Sequence, residues 1–113
     1  MQELKQKLAE FIAERNWNQF HSPKNLAMAL SVEASEIVEI FQWLTQEESY
    51  SLNSVKQEHL REEIGDVFLY LLNLAEKFQI DIVQAAKDKM VKNARKYPVE
   101  KSKNNMKKYN ELE

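Results

Sequence analysis

From Pro23 to Pro98 the chain runs with no other proline and a single glycine, Gly65. Proline and glycine punctuate secondary structure, so a stretch this long without them demands long helices joined by polar connections. Tight β-hairpins draw on Asn-Gly, Asp-Gly and Gly-Gly pairs and have almost nothing here to be built from.

Apolar residues recur at helical spacing in four places. Leu4, Leu8, Phe11 and Ile12 mark a first helix over residues 3–15. The segment NWNQFHSP breaks that pattern; Ser22 makes a good N-cap and Pro23 suits the first helical position. A second helix is expected from Pro23 to about Leu44, followed by the polar connection TQEESYSLN. A third starts near Asn53 or Ser54 and reaches Phe78. Asp81 caps a fourth that runs to about Lys96, where Pro98 disfavours helical geometry at Tyr97. The expected architecture is therefore all-α, a bundle of about four helices, in one domain over residues 1–113. The stretch from about residue 99 to 113 is polar and lysine-rich. A short helix, a strap over a neighbour and disorder all stay open for it.

The third helix is apolar nearly all round. Leu60, Ile64, Val67, Leu71, Leu74 and Phe78 share one face, while Leu69 and Leu72 point elsewhere. Such a helix wants burial on more than one side, which four helices hardly supply alone. Self-association to a dimer or tetramer is expected, with the second and third helices near the interface.

With 16 basic and 18 acidic residues, no global basic field favours nucleic acid. The absence of cysteine excludes disulfides and thiolate metal sites and fits a reducing cytoplasm. MQELKQKLAEF carries charges at helical spacing and no apolar core, so it does not read as a signal peptide. The run VFLYLLNLA falls far short of the roughly 20 residues that span a bilayer, so no membrane partner is expected.

One residue breaks the pattern of the second helix. Leu26, Leu30, Ile37, Ile40 and Leu44 form a stripe, and Glu33 fills the remaining slot in it, within roughly 40° of its centre at 100° per residue. Glu36 falls about 80° to one side, on the flank, and Glu39 points to water. On the third helix Glu63, Asp66 and Tyr70, spaced i, i+3, i+7, form one ridge along the edge of the apolar face; Glu62 and His59 lie in solvent. If the two seams face each other, four carboxylates converge. They cannot all stay ionised in a low-dielectric seam without a cation. Hard oxygen ligands without cysteine or an E-x-x-H pair suit Mg²⁺, which keeps waters and is usually completed by substrate phosphates. The chemistry suggested is attack of water at phosphorus. Acid pairs at i, i+3 are also common on solvated helix faces; Glu33 within its stripe and the second pair weigh against that reading.

These residues resemble a known family. Glu33-Ala-Ser-Glu36 followed by Glu63-Ile-Gly-Asp66 is similar to the E-x-x-E and E-x-x-D pairs of the all-α nucleoside triphosphate pyrophosphohydrolases of the MazG type. WNQFHSPKNLAMAL, EIFQW, REEIGDVFLYLL, KMVKNARKYPV and KKYNEL, in that order, look like the dCTP pyrophosphatase branch. E-x-x-E alone is unspecific; the ordered set carries the resemblance. It implies a helical fold whose subunits pair through their long helices. It implies hydrolysis of a nucleoside triphosphate, dCTP-like, to the monophosphate and pyrophosphate by water attack at the α-phosphorus. Mg²⁺, or Mn²⁺ in its place, would be held by Glu33, Glu36, Glu63 and Asp66, which are then both the metal ligands and the catalytic acids. Trp17 and Trp43 look like residues that hold the base, a role that indole stacking suits; the alternative for each is a core or interface aromatic. Tyr70 would reach ligand or phosphate, and Lys89, Asn93 and Tyr97 would form a phosphate-binding edge. His21 is read either as a hydrogen-bond partner of base or ribose or as a turn stabiliser. Gly65 sits mid-helix at a cost of about 1 kcal/mol against alanine, for which a close helix approach beside the acids is the expected reason. The competing function is a non-catalytic nucleotide-binding or helical interaction module.

Overall fold

The structure is a computed structural model that describes residues 1–104, 106 and 110. Its described residues contain five α-helices and two 3₁₀ turns: α1 (Gln2–Glu14), a turn over Trp17–Phe20, α2 (Pro23–Phe41), a turn over Glu48–Tyr50, α3 (Ser54–Lys77), α4 (Ile82–Lys96) and α5 (Val99–Ser102). The chain divides into two compact units, Met1–Gln79 and Ile80–Glu113.

The helix starts follow the capping chemistry. Ser22 Oγ accepts from the Asn25 amide at 3.1 Å, with Pro23 opening α2. Asn53 Oδ1 accepts from Lys56 N at 2.8 Å at the head of α3. Each cap satisfies one of the four amides that a helix start leaves without an intrahelical partner. The break after α1 runs through Asn16, whose φ of 52° is a left-handed conformation that asparagine tolerates. α2 ends at Phe41, three residues before Leu44. Past it, Thr45 and Glu48 cap each other: Thr45 N donates to Glu48 Oε1 at 2.9 Å and Glu48 N donates to Thr45 Oγ1 at 3.1 Å. That reciprocal box starts the second 3₁₀ turn, so the chain leaves the α-helical path at this point.

In the first unit, α2 and α3 pack along each other and supply the acids. Leu26 and Ile40 of α2 are buried, Leu30, Ile37 and Leu44 are half-buried, and Glu33 sits among them. α3 is buried on more than one side. Glu63 lies on one, whereas Leu72 and Asn73 lie on others. Ile64, Leu71 and Phe78, from the face expected to be the core of this helix, are exposed, while Leu60, Val67 and Leu74 are half-buried. Leu72, expected to point elsewhere, is fully buried. α1 contributes Ile12 to the core and is tied to α3 by Lys5 Nζ on Glu76 Oε1 at 3.2 Å. Lys77 Nζ donates to Asn18 Oδ1 at 3.2 Å, fastening the first 3₁₀ turn to the end of α3.

In the second unit, Asp81 Oδ1 accepts from Gln84 N at 3.0 Å to cap α4. Arg95 and Lys96 fill the last turn of α4, where cations complement the helix dipole. Tyr97 ends the helix, and α5 follows Pro98. Of the C-terminal stretch, Val99–Ser102 is helical, while residues 105, 107–109 and 111–113 lie outside the described residues. KKYNEL falls mostly among them.

A candidate metal centre beside an aromatic cavity

Packing α2 against α3 brings the acid pairs together. One carboxylate oxygen each from Glu33, Glu36 and Glu63 lie within 4.8 Å of one another. Glu63 is only 7% exposed, a rare degree of burial for a glutamate without a compensating partner. His59, one helical turn earlier, places Nε2 3.4 Å from Glu63 Oε1. Asp66 stands outside the 4.8 Å set and is exposed, where water solvates its charge, yet its field reaches Glu33.

Glu33 carries the cost of this arrangement. Its carboxyl is pushed up from 4.5 to about 7. Burial is the main cause, followed by the close carboxyls of Glu63 and Glu36 and by the negative charges of Glu36 and Asp66. Glu33 Oε2 and Glu63 Oε2 are buried with no hydrogen-bond partner. A buried carboxylate oxygen without a donor costs free energy on the order of kilocalories, and a cation between the two would relieve both. The residues present therefore fit a hard divalent ion: all-oxygen donors, at least three carboxylates, and two orphaned oxygens turned inward.

Next to the acids lies a cavity of about 240 Å³, lined by α1, the first 3₁₀ turn and α3. Leu8, Phe11, Ile12 and Leu69 make its apolar wall, while Asp66, Tyr70, His21 and Asn73 supply polar groups. Trp17 packs edge-on against Phe11 (centroids 5.7 Å apart) and against His21 (6.3 Å). Arg15 lies 3.7 Å over the Phe11 ring, so the aromatic wall is braced from outside by a cation–π contact. His21 Nδ1 meets Asn73 Nδ2 at 3.1 Å. Burial, aided by the nearby Lys77 charge, holds the imidazole pKa below its ordinary value.

Of the residues singled out in the sequence, Trp17, His21, Tyr70 and Asp66 thus share one cavity, and Glu33, Glu36 and Glu63 share one cluster. Trp43 follows the end of α2 and is 86% exposed, with no place in that cavity's lining. Lys89 and Asn93 are exposed on α4, and Tyr97 is its half-buried C-cap, all in the second unit. Sequence reasoning missed Leu8, Phe11, Ile12, Leu69 and Asn73 as cavity residues. Extending the Glu63–Asp66–Tyr70 ridge by one step reaches Asn73, which was the available signal. Gly65 has nothing within 4 Å of an added Cβ, so no close helix approach among the described residues explains it.

Comparison with known proteins bears on what this arrangement does. The model of the MazG-like family matches residues 28–112. The chain is 40% identical to dCTP pyrophosphatase 1 of Bos taurus over 114 residues, covering 99% of this chain and 68% of that protein. It is also 40% identical to dCTP pyrophosphatase 1 of Homo sapiens, covering 67% of it. The crystal structure of a pyrophosphatase from Archaeoglobus fulgidus superposes with a TM-score of 0.82 at 43% identity, over 87% of this chain and 92% of that one.

Proposed function

Because this chain belongs to the MazG-like family, we propose that it hydrolyses a dCTP-like nucleoside triphosphate to the monophosphate and pyrophosphate, using Mg²⁺ held by Glu33, Glu36, Glu63 and Asp66. It is a nucleoside triphosphate pyrophosphatase, a hydrolase of acid anhydrides. The observation that carries the reading is the Glu33–Glu36–Glu63 cluster, with its two buried, unpartnered oxygens. The curated relatives, which covered nearly all of this chain, bear the name dCTP pyrophosphatase and support the substrate class.

When bound, Mg²⁺ supplies Lewis acidity at phosphate oxygens and offsets the charge of carboxylates and triphosphate together. The side chains have separate tasks. Glu33 and Glu36 from α2 and Glu63 from α3 would hold the ion. Asp66, which lines the cavity, would be the fourth ligand. The cavity bordered by Trp17, Tyr70 and His21 takes the nucleoside, the indole and the apolar wall excluding water from the base. Trp43, at the end of the EIFQW block, is read as a second aromatic partner of the base. Lys89, Asn93 and Tyr97 bind phosphates, with Lys89 offsetting triphosphate charge that one Mg²⁺ leaves over. One of the four acids is a candidate base for the attacking water. Water attacks the α-phosphorus and pyrophosphate leaves. Self-association through α2 and α3 is part of the same reading, and so are Mn²⁺ as a substitute ion and a cytoplasmic site of action.

The test is a panel of deoxy and ribo nucleoside triphosphates of every base, with modified cytosines, assayed for pyrophosphate against orthophosphate. Pyrophosphate from dCTP is expected. No release from any nucleotide would remove the enzyme reading and favour a non-catalytic nucleotide-binding module. Glu63→Gln and Asp66→Asn should each lower kcat by at least about 100-fold, the range in which removing a positioned electrostatic group acts, with an unchanged circular dichroism spectrum. Full activity in both variants would move the site elsewhere.

A further inference from the structure

Asn73 is an amide set between leucines on α3 and is only 8% exposed. A buried amide costs free energy unless its polar atoms find partners. Its side chain reaches His21, 52 positions away in sequence. The atom turned to His21 Nδ1 is Asn73 Nδ2, which can only donate. Nδ1 therefore accepts, and a neutral ring carries its one proton on Nε2. Burial and the Lys77 charge both disfavour the imidazolium. His21 and Asn73 line the same cavity as Trp17 and Tyr70.

We propose that Asn73 is a positioning residue that locks His21 in the Nε2–H tautomer, making the imidazole a fixed hydrogen-bond donor that selects bases by the acceptor they present to it. The proposal rests on the reading of this cavity as the nucleoside pocket. A free imidazole exchanges its proton between the two nitrogens and so offers either a donor or an acceptor. Held by Asn73, it offers a donor alone. Cytosine presents N3 and O2 as acceptors, whereas thymine and uracil carry a hydrogen on N3. An Nε2–H donor set toward the N3 edge is satisfied by cytosine and faces N–H against N–H with the other two pyrimidines. Selection then follows from an unmet buried donor, the kind of mismatch that discriminates more strongly than shape.

Long-range ¹H–¹⁵N correlation spectra of the full chain, labelled on histidine, read the His21 tautomer without any turnover. The wild type should show the Nε2–H form, and Asn73→Leu, which keeps the volume and removes the donor, a mixture of both. In steady-state assays Asn73→Leu should raise KM for dCTP by about tenfold, the worth of one neutral hydrogen bond, and change kcat far less. The preference for dCTP over dTTP should fall by a similar factor. In a His21→Gln background, whose amide donates without help from Asn73, the same Asn73→Leu change should shift KM by less than about twofold. An equal cost in both backgrounds would mean that Asn73 acts through packing and would overturn the proposal. So would an Nδ1–H or doubly protonated His21 in the wild type, a result that decides the matter even where Asn73→Leu does not fold. Failure of the enzyme reading looks different: no nucleotide turns over, whatever the tautomer spectrum shows.

Discussion

A carboxyl group that keeps its proton up to about pH 7 must release it before a cation can take its place, and Glu33 is such a group. Below that pH Mg²⁺ competes with a proton, so its apparent affinity should drop by up to about tenfold for each pH unit below 7, as one-proton linkage requires. Calorimetric titration at pH 6 and pH 8 measures this. The same shift acts on folding. The folded metal-free protein binds a proton at Glu33 between about pH 4.5 and 7 that the unfolded chain has already lost, so its stability falls as pH rises through that window. In chelator, Tm should decline from pH 5 to pH 8, and Mg²⁺ should raise it more at pH 8 than at pH 5. A Tm indifferent to Mg²⁺ at pH 8 would contradict the cluster as its site. Glu33 was legible in the sequence because a charge within an apolar stripe violates periodicity. Asn73 was legible only as the next step of the Glu63–Asp66–Tyr70 ridge, since one amide between leucines looks like an ordinary helix residue until the fold sets His21 against it. Trp43 was read as a pocket wall from its motif alone, and its exposure depends on what else packs there, which one chain's periodicity does not carry.

Element boundaries were readable where capping chemistry fixes them. Ser22, Asn53 and Asp81 all accept from the amide three residues on, as their residue types predict. The end of α2 was overrun because the apolar stripe continues to Leu44, whereas the Thr45–Glu48 box competes for the backbone. α3 shows a different limit: the wheel correctly found a helix apolar on several sides but not which side its own chain would cover. Leu72 took the burial expected of Leu71 and Ile64. Gly65 offers a test at this scale. An added methyl meets nothing within 4 Å, so Gly65→Ala should stabilise the fold by about 1 kcal/mol through helix propensity. For a chain of this size that corresponds to a Tm rise of about 4 °C, measurable by calorimetry. A fall in Tm instead would place another subunit's backbone against that position.

At the scale of the molecule, the exposed Ile64, Leu71 and Phe78 lie along one face of α3. Exposed apolar residues in a row are the ordinary mark of an interface. Sedimentation should find a dimer or tetramer, and Leu71→Glu with Phe78→Glu should shift it toward monomer; a wild-type monomer at micromolar concentration would remove self-association from the reading. Among the described residues no helix is long and apolar enough to cross a membrane. The cavity has a less obvious property. Three of its wall residues, Leu8, Phe11 and Ile12, belong to α1, a helix that buries only Ile12 fully and is otherwise fastened by ties such as the Lys5–Glu76 pair. One wall of the pocket is therefore held by few buried side chains, while the acids sit on the two helices that pack most closely. Amide hydrogens of α1 should exchange with solvent faster than those of α2 and α3. A non-hydrolysable dCTP analogue with Mg²⁺ should slow exchange in α1 more than in the other two. The pocket would then be partly assembled by its occupant, and its affinity would include the work of holding α1 in place.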